Sequence, residues 1–309
     1  MANGSFTQLL MITKAEIKTY FEGLQDQICA SLEQADGKAT FREDLWHREA
    51  GGGGRSRVIQ EGNVIEKGGV MFSAVWGGLH EKMLASMGLT EKVDFFATGV
   101  SIVIHPISPM VPIIHMNVRY FEMSNGAFWF GGGIDLTPHY IVDEDARWFH
   151  QQLKNACDKH DFSYYPKFKT WADDYFFNTH RNETRGIGGI FFDYQKTDDT
   201  RTKDQLFNFV KEIGESFAPI YTYFMEKNKD IPFTEKEKTF QLLRRGRYVE
   251  FNLVHDRGTK FGLETNGRTE SILMSMPPMA QWVYDYQAVE GSEEERTLGL
   301  LKKGIDWLE

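Results

Sequence analysis

Three apolar runs in close succession constrain this chain more than any other feature: Phe95 to His105 (FFATGVSIVIH), Ile113 to Met123 (IIHMNVRYFEM) and Ala127 to Leu136 (AFWFGGGIDL). Each is rich in β-branched and aromatic residues, and the turn Ser124-Asn-Gly126 separates the last two. The centre of the chain therefore predicts a meandering antiparallel sheet. Arg57 to Gln60, Val64 to Glu66 and Val70 to Phe72 extend the strand signal upstream.

Helical spacing flanks this block. Thr13-Lys-Ala-Glu16 is a capping box, and Ile17, Tyr20, Phe21, Leu24 and Ile28 repeat on one face, predicting a helix to about Asp36-Gly37. Further helices are predicted over Asp145 to Lys159, Tyr165 to Asn178 and Lys203 to Lys227, with Pro219 expected to kink or end the last. Strand signals return at Gly189 to Asp193, Arg247 to His255 and Phe261 to Leu263, and a final helix is expected to end at Leu308. Runs of strands with helices segregated between them predict an α+β fold, a large antiparallel sheet covered by helices.

Length and composition bear on domain count. In 309 residues, 41% hydrophobic and 14% aromatic, there is no Pro/Ser-rich linker, repeat or long charge block, so residues 1–309 read as a single domain with disorder expected only at the ends, such as 1–12. A net charge of −9 argues against nucleic-acid or anionic-membrane partners. Two cysteines, Cys29 and Cys157, are too few for a disulfide framework, and no apolar run is long enough to span a bilayer. A soluble protein of a reducing compartment is expected. The N-terminus lacks the Arg-rich, acid-poor pattern of a transit peptide, which favours the cytosol.

Four consecutive glycines, Gly51 to Gly54, precede Arg55 and Arg57. A phosphate cradle is rejected, because no Gly-Lys-Ser/Thr follows and the flanks read as strands rather than a helix start. A flexible hairpin connection remains.

The common catalytic signatures are absent, leaving polar residues on or beside apolar strands. His105, His115, His150 and His180 could bind a divalent metal with Asp135 as a carboxylate partner, or sit as satisfied core and rim residues. Arg119 reads either as an arginine paired with a carboxylate or as a fork for a substrate carboxylate. Asp256-Arg257-Gly258 is equally turn chemistry or a site, and Arg244 to Arg247 reads as a solvated or subunit-facing edge.

Seven segments then act together: HREAGGGGRSRV, GVSIVIHP, HMNVRYF, WFGGGIDLTP, DDYFFNTHRNETRGIGGIFFD, RRGRYVEFNLVHDRGT and GRTESILMSMPP. In this order they closely resemble the oxygen-dependent coproporphyrinogen III oxidases, over about Leu24 to Leu308. The resemblance implies oxidative decarboxylation of two propionates of coproporphyrinogen III to vinyl groups, giving protoporphyrinogen IX in haem biosynthesis. Oxygen would be the oxidant and no flavin or haem would be needed. It implies substrate binding at Ser101, at Asn117, Val118 and Arg119, and at Asn266, Gly267 and Arg268. Catalytic roles would fall to His115 as proton donor, Asp135 as acceptor of pyrrole N–H groups, and the pair Asp256 and Arg257.

Asn266 stands where relatives usually carry glycine. Bacterial relatives imply the alternative of a metal on His105, His115, His150 and His180. The resemblance also implies a homodimer through about Tyr248 to Val283, a segment containing Phe251, Leu253, Ile272, Leu273 and Met274. The Gly51 to Gly54 run is then expected near the macrocycle or the mouth of its cleft, where a side chain would collide.

Overall fold

Helix α1 (Lys14–Asp36) opens with the expected capping box: Thr13 accepts from the Glu16 backbone, and the Glu16 side chain accepts from that of Thr13. It closes on Gly37 at φ 73°, a left-handed cap that glycine adopts without steric cost. The chain is described from a computed structural model covering residues 11–79, 84, 85, 88–264 and 267–309. The expectation for residues 1–10 lies outside the described residues.

One seven-stranded sheet organises the fold, wholly antiparallel, in the order β1 (Arg42–His47), β2 (Gly52–Gln60), β3 (Ile65–Gly78), β4 (Asp94–Pro106), β5 (Ile113–Met123), β6 (Phe128–Thr137) and β9 (Gly189–Gln195). Short β7 (Phe177–Asn178) and β8 (Glu183–Thr184) pair apart from it. Side chains alternate across a strand, and β5 shows the consequence. Ile114, Met116, Val118 and Tyr120 are sealed, whereas His115, Asn117 and Arg119 stay partly accessible on the other face.

The sealed face lies under helices α1, α2 (Asp143–Asp158), α3 (Tyr164–Tyr175) and α4 (Lys203–Asn228), which close the main core. Pro219 does not end α4, which continues as helix to Asn228. The second face is partly roofed by α5 (Glu235–Glu250), a π-helical turn (Phe251–His255), α6 (Arg257–Glu264) and α7 (Thr269–Leu273).

Three expectations fail here. Arg247 to His255 is not a strand: it is the end of α5 and the π turn, in which Phe240, Leu243, Arg244, Tyr248 and Phe251 fall on one buried helical stripe. Phe261 to Leu263 lies in α6, not in a strand. The last helix, α8 (Glu293–Gly299), stops well short of Leu308; the tail beyond it continues in turns and buries Leu301 and Trp307.

Candidate active site

Register builds the site in transverse rows on the second face. One row runs Trp46, Gly54, Ser73, Gly99, Arg119, Gly131, each directly opposite the next. The next carries Ser56, Met71, Ser101, Asn117 and Gly133, and the one after it Val58, Gly69, Val103, His115 and Asp135. Five of the expected residues thus share one face of three neighbouring strands, with Arg119 and His115 about 13 Å apart along β5. Val118, one residue from each neighbour, points its fully buried side chain into the opposite core.

Asp135 is 1% exposed and its carboxylate is already engaged. Oδ1 accepts from His115 Nδ1 at 2.8 Å and from Arg185 Nη2 at 2.7 Å, and Oδ2 accepts from Arg185 Nε at 3.1 Å. Burial by itself would push the Asp135 pKa up, but the Arg185 charge and the His115 contact outweigh it and hold the carboxyl below its ordinary range. These partners are internal to the fold, and Oδ2, with the single contact to Arg185, keeps a further acceptor position. Arg185 was not foreseen. It is 2% exposed, donates Nη1 to Asn252 at 3.0 Å, and its guanidinium carbon lies 4.5, 4.7 and 4.6 Å from the ring centroids of Phe176, Tyr248 and Phe251. His115 has Nδ1 committed to Asp135 and its side chain is 20% exposed, so Nε2 is the nitrogen left for the open face.

Arg119 realises the paired reading: Nη1 donates to Asn117 at 2.8 Å and Nη2 meets Asp193 at 2.8 Å. Three of its N–H groups remain for another acceptor. Asp193, unremarked in sequence, arrives from β9.

At the roof, Asp256 caps α6. Its Oδ2 accepts from the Thr259 backbone N–H at 2.7 Å, while Oδ1 accepts from the Tyr175 hydroxyl at 3.0 Å. Tyr175 stacks on Phe191 at 4.0 Å, and Phe191 faces Gly133 in the Asn117 row. Arg257 is exposed, its guanidinium 5.2 Å from the Tyr175 ring. Arg268 lies across the sheet, paired with Asp44 and reaching Ser56 at 3.3 Å, so Arg268 walls the β1–β2 side, while Gly267 N–H bonds the Gly262 carbonyl of α6 at 2.8 Å. Asn266 lies outside the described residues.

The four candidate metal histidines have separate surroundings. His105 is sealed against the Ser275 carbonyl, and burial pushes its pKa down to about 3. His150 is sealed between Tyr165 and the Ile187 carbonyl, with its pKa down to about 4, also by burial. His180 is exposed and bonds His255 and Glu250 at 2.9 and 2.7 Å. Among the described residues no three His, Cys, Asp or Glu side chains group as a metal site.

Arg244 and Arg245 overturn the edge reading. Both side chains are fully buried, paired with Glu183 and Glu66, and they tie α5 to β8 and to the sheet end.

The glycine run is not a loose hairpin connection either. Gly52 to Gly54 lie within β2, and a Cβ would stand 2.7 Å from Val75 Cα at Gly52 and 2.5 Å from Trp46 Cε2 at Gly54. Gly54 belongs to the Arg119 row, so close packing of Trp46 and the bareness of the face have one cause.

A family model described as coproporphyrinogen III oxidase matches residues 16–307. The oxygen-dependent coproporphyrinogen-III oxidase of Prochlorococcus marinus (strain MIT 9312) is 47% identical, over 96% of this chain and 93% of its own. Coproporphyrinogen-III oxidase 1, chloroplastic, of Arabidopsis thaliana is 48% identical, over 96% of this chain and 79% of its own.

Proposed function

The chain belongs to the coproporphyrinogen III oxidase family, and from that premise we propose how its second sheet face performs oxygen-dependent decarboxylation of coproporphyrinogen III to protoporphyrinogen IX. Each step removes a propionate carboxyl as carbon dioxide and two electrons and two protons in all, which reduce one O2 to hydrogen peroxide and leave a vinyl group. Two such steps on different rings complete the product.

The observation that carries the proposal is the row geometry: Arg119, then Asn117 and Ser101, then His115, at successive heights on adjoining strands. Arg119 receives a propionate on the open side of its guanidinium, and Asn117 and Ser101 offer polar contacts beside it. His115 moves a proton at Nε2, its ring set by Asp135, and Arg185 keeps Asp135 ionised. Asp256 fixes the start of α6 so that Arg257 stands at the rim as a second carboxylate partner. Gly267 and Arg268 serve the opposite wall.

Oxygen is the sole oxidant in this reading, with no resident cofactor. Its support is that both ring nitrogens of His150 and Nε2 of His105 are engaged by protein partners, apart from the His115–Asp135 pair. A homodimer is part of the proposal, since Leu253, Val254, Met279, Trp282, Val283 and Tyr284 present apolar surface in the segment the resemblance implied. Phe251 and Met274 face inward instead. No described helix is long and apolar enough to cross a membrane. A cytosolic location is proposed; cell fractionation separates it from the plastid location in the Arabidopsis relative's name.

The test is anaerobic addition of coproporphyrinogen III to metal-stripped protein, then oxygen, with porphyrin products and peroxide measured. Protoporphyrinogen IX and peroxide are expected. Turnover that returns only when one metal is restored would overturn the cofactor-free reading.

A further inference from the structure

Two residues of β9, Asp193 and Tyr194, stand opposite the single residue Gly131 of β6, because pairing passes from Gly132 with Phe192 to Phe130 with Gln195. This bulge holds Tyr194 at φ 49°, a left-handed conformation that a bulky aromatic residue rarely adopts. The Tyr194 ring packs on Trp129 at 5.2 Å between centroids. Strained bulges beside binding faces re-aim side chains, and this one aims Asp193 at Arg119. Oδ2 meets Arg119 Nη2 at 2.8 Å, and Oδ1 accepts from the Tyr194 backbone N–H at 2.9 Å. The pair lies flat on Gly131, where a Cβ would stand 2.5 Å from Asp193 Oδ1 and 2.9 Å from Arg119 Nε.

We propose that Asp193 is the resident counter-ion of Arg119, holding the place that a substrate carboxylate takes, so that binding exchanges one carboxylate for another. The inference rests on the reading that Arg119 receives a propionate. The Arg119 side chain is 35% exposed and that of Asp193 17%, so a ligand reaches the cation from the open side and its carboxylate takes the contact that the deeper-lying Asp193 gives up. A fixed anion at 2.8 Å weakens the pull of the guanidinium on any second carboxylate. Small monocarboxylic acids then gain little by displacing it, whereas a macrocycle with several carboxylates brings apolar contact that offsets the exchange. Where the carboxylate on Arg119 is the one lost as carbon dioxide, Asp193 supplies the charge that replaces it, and the vinyl side is released.

The experiment measures dissociation constants for coproporphyrin III, by fluorescence, in the wild-type chain and in Asp193→Asn, with sodium propionate as competitor. Removing the resident anion should tighten coproporphyrin III by about fivefold, and propionate should compete in the variant at concentrations without effect on wild type. Asp193→Ser serves if the asparagine variant shows a lowered thermal midpoint. Unchanged or weaker affinity in a folded variant would overturn the counter-ion role and make Asp193 a brace or a direct contact. Failure of wild type to bind coproporphyrin III at all would instead remove the functional reading, and this inference with it.

Discussion

The guanidinium of Arg185 meets the carboxylate of Asp135 through two hydrogen bonds, at 2.7 and 3.1 Å, with both side chains sealed from water. Removing one partner of such a pair strands the other charge in a dry site. Asp135→Asn should therefore lower stability by about 3 kcal/mol as well as turnover, because Arg185 keeps its aromatic cage but loses its counter-charge. Urea unfolding of the variant beside its activity is the check; native stability with lost turnover would return Asp135 to a purely chemical role.

His115→Gln separates chemistry from folding. The ring is partly open and its loss leaves the Arg185–Asp135 pair intact. Turnover should fall by about a hundredfold, the usual scale for a positioned proton donor, while affinity for coproporphyrin III changes little. A variant that turns over normally would dismiss His115 from the mechanism.

Gly52→Val tests the glycine run as packing. Gly52 sits at φ 85°, and a Cβ would crowd the Val75 backbone. A loss of about 2 kcal/mol is expected, from left-handed strain and displacement of β3 together. A thermal midpoint equal to wild type would show that this end of β2 yields freely.

Acid should unfold the protein early. Burial holds His105 at about 3, His150 at about 4 and His139 well below its ordinary value, so all three stay neutral in the fold. Their unfolded pKa lies near 6.5. The unfolded chain thus binds more protons as pH falls, and the stability these residues contribute, complete above about 6.5, is lost toward their folded values. Urea midpoints across that window should decline with uptake of up to three protons; a flat profile above the carboxylate range would contradict the buried-neutral assignment.

Light scattering at micromolar concentration should give a dimer, and Trp282→Glu with Tyr284→Glu should shift it to monomer. Monomeric wild type would leave the exposed apolar set from Leu253 to Tyr284 without its proposed partner.

The meander was legible because alternation in Ile113 to Met123 leaves one face apolar and one polar, and that same alternation placed His115, Asn117 and Arg119 together. The segment Arg247 to His255 misled because β-rich composition hid a helical stripe. Its earlier signal was the capping box at Thr234 and Glu237, which starts the helix. Asp256 read as turn chemistry was sound locally, since a helix cap uses the same side-chain bond. Arg185 and Asp193 could not be seen from spacing. Each acquires its role from a partner distant in sequence on the central strands, and only the cost of burying Asp135 alone hinted that a cation must exist.

Beside Met71, the patch of the second face formed by Ser73, Ala97, Gly99 and Ser101 carries nothing larger than a methyl or hydroxymethyl group, and all four are half-buried. A surface of that kind has no detents. A flat guest lying on it meets no step between one heading and another, and in the proposed reading its heading is fixed from the circumference, through Arg119, Arg257 and Arg268. A guest that has to offer two of its sides in turn can then swivel in place, at a pace set by how quickly those peripheral charges let go, and added salt should hasten the swivel even as it loosens the hold.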